Sequence, residues 1–292
     1  MSNLFAVSSS SPSGDYLALR DEPRNASLKV LAQGLWDAFE PYADPDFRSD
    51  FAPHVHQRFW EMYLGAWFLR NGYALCPRNR HAGPDLHLHH EGQDIWLEAS
   101  APDEGMGPDA VPSIYEPRPY DPVPEDQIVL RFTNAVSFKT SKREEYVSNG
   151  VISSGDPFII AVNGRGIPMT LFEGPLPAII KAVYPFGQYS ITFRVDTLET
   201  VRQGYHKRTK ITKKSGSPVA TDAFLSPASS GVSGILYSSA ALWDYPSSPG
   251  SEFLYVHNST ASNPLPRAFI RSGKECFMQD GALLITDHTA GA

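Results

Sequence analysis

Five consecutive apolar residues, Phe158-Ile159-Ile160-Ala161-Val162, follow Asp156-Pro157 and limit the fold more than any other stretch of this chain. A strand with one face in water alternates apolar and polar positions. This run has no polar position, so it reads as a central strand buried on both faces.

Helical segments lie before it. From Ala26, the residues Leu28, Val30, Leu31, Leu35, Trp36 and Phe39 recur at a helical period until Pro41 ends the pattern. Residues 46–56 read as a linker. Gln57 to Gly72 predicts a largely buried helix, with Phe59, Trp60, Tyr63, Leu64, Trp67 and Phe68 on a wide apolar face and Asn71-Gly72 as its stop. A short strand at Tyr73-Ala74-Leu75, a basic loop over 76–82 and a hairpin over 84–90 and 94–99 come next. Residues 101–124, dense in Pro, Asp, Glu and Gly, form a long irregular connection of a kind that is often functional. Glu125 to Gly150 predicts a second strong helix.

The second half carries β signals at Tyr189–Val195, Arg208–Lys213, Gly234–Tyr237, Glu252–Val256 and Ala282–Ile285. Helices around core strands give an α/β fold, a mixed sheet flanked by helices with a β-rich C-terminal elaboration. The expected organisation is a flexible N-terminal arm over 1–24, a core over 25–165, and a β-rich continuation of the same domain over 166–292.

Composition narrows the partners. The net charge of −7 argues against a nonspecific nucleic-acid coat, which rests on a basic surface. It does not exclude a nuclease, because a site that binds Mg²⁺ is itself acidic and a local basic strip can hold phosphates. No apolar run approaches the ~18–20 residues of a membrane span, so no membrane partner is expected. Met1–Val7 lacks a basic n-region and does not read as a secretory signal. Cys76 and Cys276 alone give no disulfide framework or zinc-finger spacing, which makes the cytoplasm the default location.

The chemistry concentrates in the hairpin. Gly83-Pro84-Asp85 opens one arm, and Asp94-Ile95-Trp96-Leu97-Glu98-Ala99-Ser100 forms the other. Arms roughly 5 Å apart can grip one hard cation between Asp85 and Glu98. Trp96 shares the strand face of Glu98, while Ile95, Leu97 and Ala99 point the other way. Glu61 sits between Trp60 and Met62 on the aromatic helix, where a carboxylate without a partner is costly. Hydrolysis of a phosphodiester needs a cation that offsets charge on the non-bridging oxygens and acidifies a water. Asp85, Glu98, the carbonyl of Ala99 and an assisting Glu61 are the candidate ligands of Mg²⁺ or Mn²⁺.

This arrangement resembles the PD-(D/E)xK nuclease superfamily, the restriction-endonuclease-like fold, over about residues 57–165. Pro84-Asp85 resembles the PD element, Glu98-Ala99-Ser100 stands at the (D/E)xK element, and Glu61 resembles the glutamate of the preceding helix. The resemblance implies a restriction-endonuclease-like core and Mg²⁺-dependent hydrolysis of nucleic acid, chiefly DNA, in a restriction or defence setting. It admits a homodimer. The chain departs from the motif at Ser100, where the superfamily carries lysine. Such a basic group can come from a neighbouring helix instead, and Lys139 or Lys142 would supply it, Lys139 first because Ala135, Val136 and Lys139 fall on one side. If neither reaches the site, the reading becomes a catalytically inactive nuclease-like binding module or effector subunit.

Other residues have competing readings. Asp85 after Gly-Pro is also ordinary turn chemistry, and Glu98 could be a polar-face residue. Arg78 and Arg80 stand close enough to Asp85 to bind substrate phosphates, or are solvated loop charges. Arg208 and Lys210, in the densest basic stretch, could grip a phosphate backbone or protect an edge strand. His87 and His89 share a strand face and could bind zinc, although a solvated face explains them as well. No nucleophile elbow or glycine-rich phosphate loop is present.

Overall fold

The computed structural model describes residues 2–6, 11–78, 83–114, 123–170 and 174–289. The chain begins with α1 (Gly14–Asp21), α2 (Ala26–Phe39), α3 (Phe47–Phe51) and α4 (Val55–Arg70). Then come β1 (Ala74–Leu75), β2 (Leu86–His90), β3 (Gln93–Ser100), α5 (Glu125–Ser148) and β4 (Phe158–Asn163). The second half holds α6 (Ala178–Lys181), β5 (Phe186–Phe193), β6 (Thr200–Lys207), β7 (Lys210–Thr212) and β8 (Pro218–Ala220), followed by β9 (Gly234–Ser238), β10 (Leu254–His257), β11 (Lys274–Gln279) and β12 (Ala282–Asp287).

One mixed eight-stranded sheet runs in the order β1-β2-β3-β4-β9-β10-β11-β12. β4 is parallel to β3 on one side and to β9 on the other. Its apolar run divides between two cores. Ile159 and Ala161 pack with α2 and α4, against Phe39, Trp60 and Leu64. Phe158, Ile160 and Val162 pack with α5 and α6, against Phe132, Val136 and Ile179. A strand between two apolar layers has no use for a polar position, which explains the uninterrupted run. Among the described residues β5 and β6 pair only with each other, as do β7 and β8.

Helix α4 lies close against α2 because Gly65 meets the Phe39 ring; a Cβ at that position would overlap its edge atoms. The indole N–H of Trp60, fully buried, donates to the carbonyl of Ala161 at 3.0 Å and ties α4 to the middle of β4.

Three expectations need correction. The segment expected as a flexible arm carries α1, whose Tyr16 and Leu19 are buried, and Leu4 is buried with them. Ser13 caps this helix by accepting from the Tyr16 amide, which explains why a Ser- and Gly-rich stretch folds. The expected linker over 46–56 contains α3, held by buried Phe47 and Phe51. Arg208 lies outside any strand, between β6 and β7. The second half extends the first half's sheet with four strands. Among the described residues no helix is long and apolar enough to cross a membrane.

Candidate active site

The hairpin of β2 and β3 pairs from His90↔Gln93 to Leu86↔Leu97 and stops there. The next position on the β2 side that would face Ala99 is Pro84, which cannot donate to a ladder. The arms part at this point. The Ala99 amide donates instead to the side chain of Asp85, at 2.8 Å from Oδ2. Pro84 thus ends the pairing, and the carboxylate one residue later fills the gap. Arg78 faces the other oxygen of Asp85, at 3.6 Å.

Glu98 points to the α5 side of the sheet. Its Oε1 accepts from Lys139 Nζ at 2.9 Å and its Oε2 from the Tyr146 hydroxyl at 3.1 Å. Lys139 and Tyr146 are seven residues apart, two turns of one helix, so a single face of α5 delivers both. Glu61, only 3 % exposed, accepts from Gln57 Nε2 at 3.1 Å and Arg58 at 2.8 Å. Gln57 also accepts from the Ala101 amide at 2.8 Å, which fastens α4 to the end of β3. Asp44 lies between Arg58 and Arg78, 3.3 Å from each, so one chain of charges joins Glu61 to Asp85.

Electrostatics place the three carboxylates in one neighbourhood. Burial, and then the charge of Asp85, push Glu61 up to about 8; Arg58 and Gln57 oppose the shift without cancelling it. The same two causes push Glu98 up to about 7 against Lys139 and Tyr146. The Tyr146 hydroxyl is raised by burial and by Glu98, so it remains a donor. A carboxyl group whose folded value exceeds its unfolded value binds its proton more tightly in the folded state. Stability from Glu61 and Glu98 is therefore complete below their unfolded value near 4.5 and is lost as pH rises through about 7 to 8. The metal-free protein should gain about 1 kcal/mol from Glu61 alone between pH 8.5 and 7. Urea unfolding at the two pH values measures this, and Glu61→Gln should remove most of the gain.

The structure brings Asp85, Glu98, Glu61, Lys139 and Arg78 together. Ala99 joins them through its amide, which is bonded to Asp85. Lys142 does not reach Glu98; it pairs with Glu145 at 3.5 Å and lies over the Tyr146 ring, because its position on α5 faces outward. Arg80 lies outside the described residues. Arg208 bonds Glu125 and Asp126 at the start of α5, about 20 Å along that helix from Lys139. Lys210 is exposed on β7, where it pairs with Ala220 of β8. Tyr146, Gln57 and Arg58 also belong to the site, although in the sequence they stand only as members of two helices. The two-turn spacing from Lys139 was the available signal for Tyr146.

His87 and His89 do share a face, and both ring nitrogens meet one oxygen of Asp94, at 2.9 and 3.0 Å. The His87 ring stacks on Trp96 with centroids 3.9 Å apart. Among the described residues no group of three His, Cys, Asp or Glu side chains is arranged, as it stands, to hold a metal ion. No protein-family model matches the chain, and neither a curated protein nor a solved structure matches it.

Proposed function

We propose that the chain is a Mg²⁺- or Mn²⁺-dependent nuclease of restriction-endonuclease-like fold that hydrolyses phosphodiester bonds, with DNA as the substrate. One observation carries the reading: the lysine missing at Ser100 has a counterpart in Lys139, which approaches Glu98 from α5 at 2.9 Å. The order α4, β1, β2, β3, α5, β4 supports it as well.

The donor set suits a hard divalent cation. Asp85, Glu98 and Glu61 are oxygen donors; burial first, and then repulsion from Asp85, raises Glu61 and Glu98. A cation between them relieves that repulsion. Asp85, Glu98 and the carbonyl of Ala99 would hold the ion, with Glu61 assisting. When bound it would offset phosphate charge and acidify a water. Lys139 would steady negative charge developing on the phosphorus oxygens. Tyr146 would keep Glu98 oriented. Arg78 would hold Asp85 in place and offer a guanidinium to the phosphate.

Asp85→Asn and Glu98→Gln should each reduce Mg²⁺-dependent cleavage of a DNA fragment about a hundredfold or more, with folding checked by circular dichroism. If both variants cut as fast as the parent, the assignment fails. The alternative, an inactive nuclease-like binding module, draws on Ser100 and on the complete set of protein partners around Glu98 and Glu61. It predicts no heat on calorimetric titration with Mg²⁺ or Mn²⁺ and no cleavage.

A further inference from the structure

A cavity of about 380 Å³ opens beside Asp85, and its wall includes Arg78, Tyr42, His87, Trp96 and Val151. That volume lies at the small end of ligand sites, ~300–1,000 Å³, and suits one nucleotide. The wall combines one cation and one carboxylate with flat rings, the chemistry that recognises a phosphate joined to a planar heterocycle. Two of the rings are held in advance. His87 Nε2 meets Asp94 at 2.9 Å, and the Trp96 indole N–H donates to Asp156 at 2.9 Å. Arg78 is fixed on that wall, with its terminal nitrogens 3.3 Å from Asp44, 2.9 Å from the Gly83 carbonyl and 3.6 Å from Asp85. Asp85 belongs both to this cavity and to the carboxylate cluster. A base in the cavity would therefore have its phosphate at the candidate site.

Resting on the nuclease reading above, we propose that this cavity receives the unpaired base next to the scissile phosphate. The substrate is then a single-stranded or locally unpaired strand. A base inside a duplex has both faces covered by its neighbours and must first be extruded to reach these rings.

Two measurements test this. Calorimetry compares a nucleoside 5′-monophosphate with inorganic phosphate, on the parent and on Val151→Trp, which fills the cavity. Cleavage compares a single-stranded oligonucleotide, its perfect duplex, and a duplex with a central bulge. The nucleotide should bind about tenfold or more tighter than phosphate, and Val151→Trp should abolish that advantage. The single strand and the bulge should be cut about tenfold or more faster than the duplex. If Val151→Trp does not fold, Tyr42→Ala, which removes a ring, serves in its place and should weaken nucleotide binding severalfold. Equal cutting of duplex and single strand, with no effect of either variant, would overturn the proposal and leave the nuclease reading standing. Val151-dependent nucleotide binding without cleavage of any strand would instead overturn the nuclease reading, and with it the scissile role of the base. Cleavage of the single strand combined with tighter binding of the free nucleotide than of the strand would assign the cavity to free nucleotides and also overturn the strand proposal.

Discussion

Lys139→Met should lower Mg²⁺-dependent cleavage about a thousandfold while leaving the fold in place. Methionine keeps the length and apolar stem of lysine and removes only the charge. In the folded protein that charge stands 2.9 Å from Glu98. Charge stabilisation of this kind typically supplies 10²–10³ in rate, and more where water is excluded, so a loss of about three decades is expected. Loss of the ammonium also removes one of the groups that restrain Glu98 from rising further, so the remaining activity should shift to higher pH. A second substitution makes the test specific. Ser100 lies two residues after Glu98 on β3 and shares its strand face. Adding Ser100→Lys to Lys139→Met restores an ammonium to the same region from the strand instead of the helix, and should recover at least a tenth of the lost rate. Single-turnover cleavage of one oligonucleotide by the parent, the single variant and the double variant measures both effects. A Lys139→Met protein that cuts at the parent rate would remove the helix lysine from the mechanism.

Trp60→Ala should destabilise the protein by about 3–5 kcal/mol, the usual range for emptying a large aromatic site in a core. The residue is fully buried, and its ring packs edge-on to Phe253 at 6.2 Å between centroids. The substitution also leaves the Ala161 carbonyl without its indole donor. In a domain of this size the loss should lower the melting temperature by about 10 °C. Trp60→Phe fills most of the space but still loses the hydrogen bond, so it should cost about 1–3 kcal/mol. Glu61 follows Trp60 on the same helix, so both variants should also weaken any binding of Mg²⁺. Urea unfolding and calorimetry read the two effects separately.

The parts of this site visible in the sequence were those fixed by a local period. In the hairpin, Leu86 and Leu88 alternate with polar residues and pair with Leu97 and Ile95 on one face, which sets the register that places Asp85 and Glu98 near each other. Helical spacing puts Lys139 ahead of Lys142, and in the fold Lys139 meets Glu98 while Lys142 meets Glu145. Features held by distant partners were not legible. β6 escaped notice because Thr200-Val201-Arg202-Gln203-Gly204 shows no alternation; among the described residues it pairs with β5 alone, and it stays largely exposed. β11 carries no strand signal in the sequence, because it opens on the charged pair Lys274-Glu275. Glu275 is in fact buried, with His257 at 2.6 Å and the Ala268 amide at 3.0 Å. Arg208 looked like part of a phosphate-binding strand, and only the tertiary fold shows that the acidic start of α5 occupies it.

The position of β4 between β3 and β9 has a consequence for biosynthesis. Roughly seventy residues separate Asn163 from Gly234, about 4–14 s of translation at the usual 5–20 residues per second. During that interval the emerging polypeptide would carry a greasy strand with one edge unclaimed, a template for pairing with other nascent molecules. Such long-range closure is slow, so production in cells should depend on chaperone capacity. Fragments that stop short of Gly234 should accumulate as inclusion bodies.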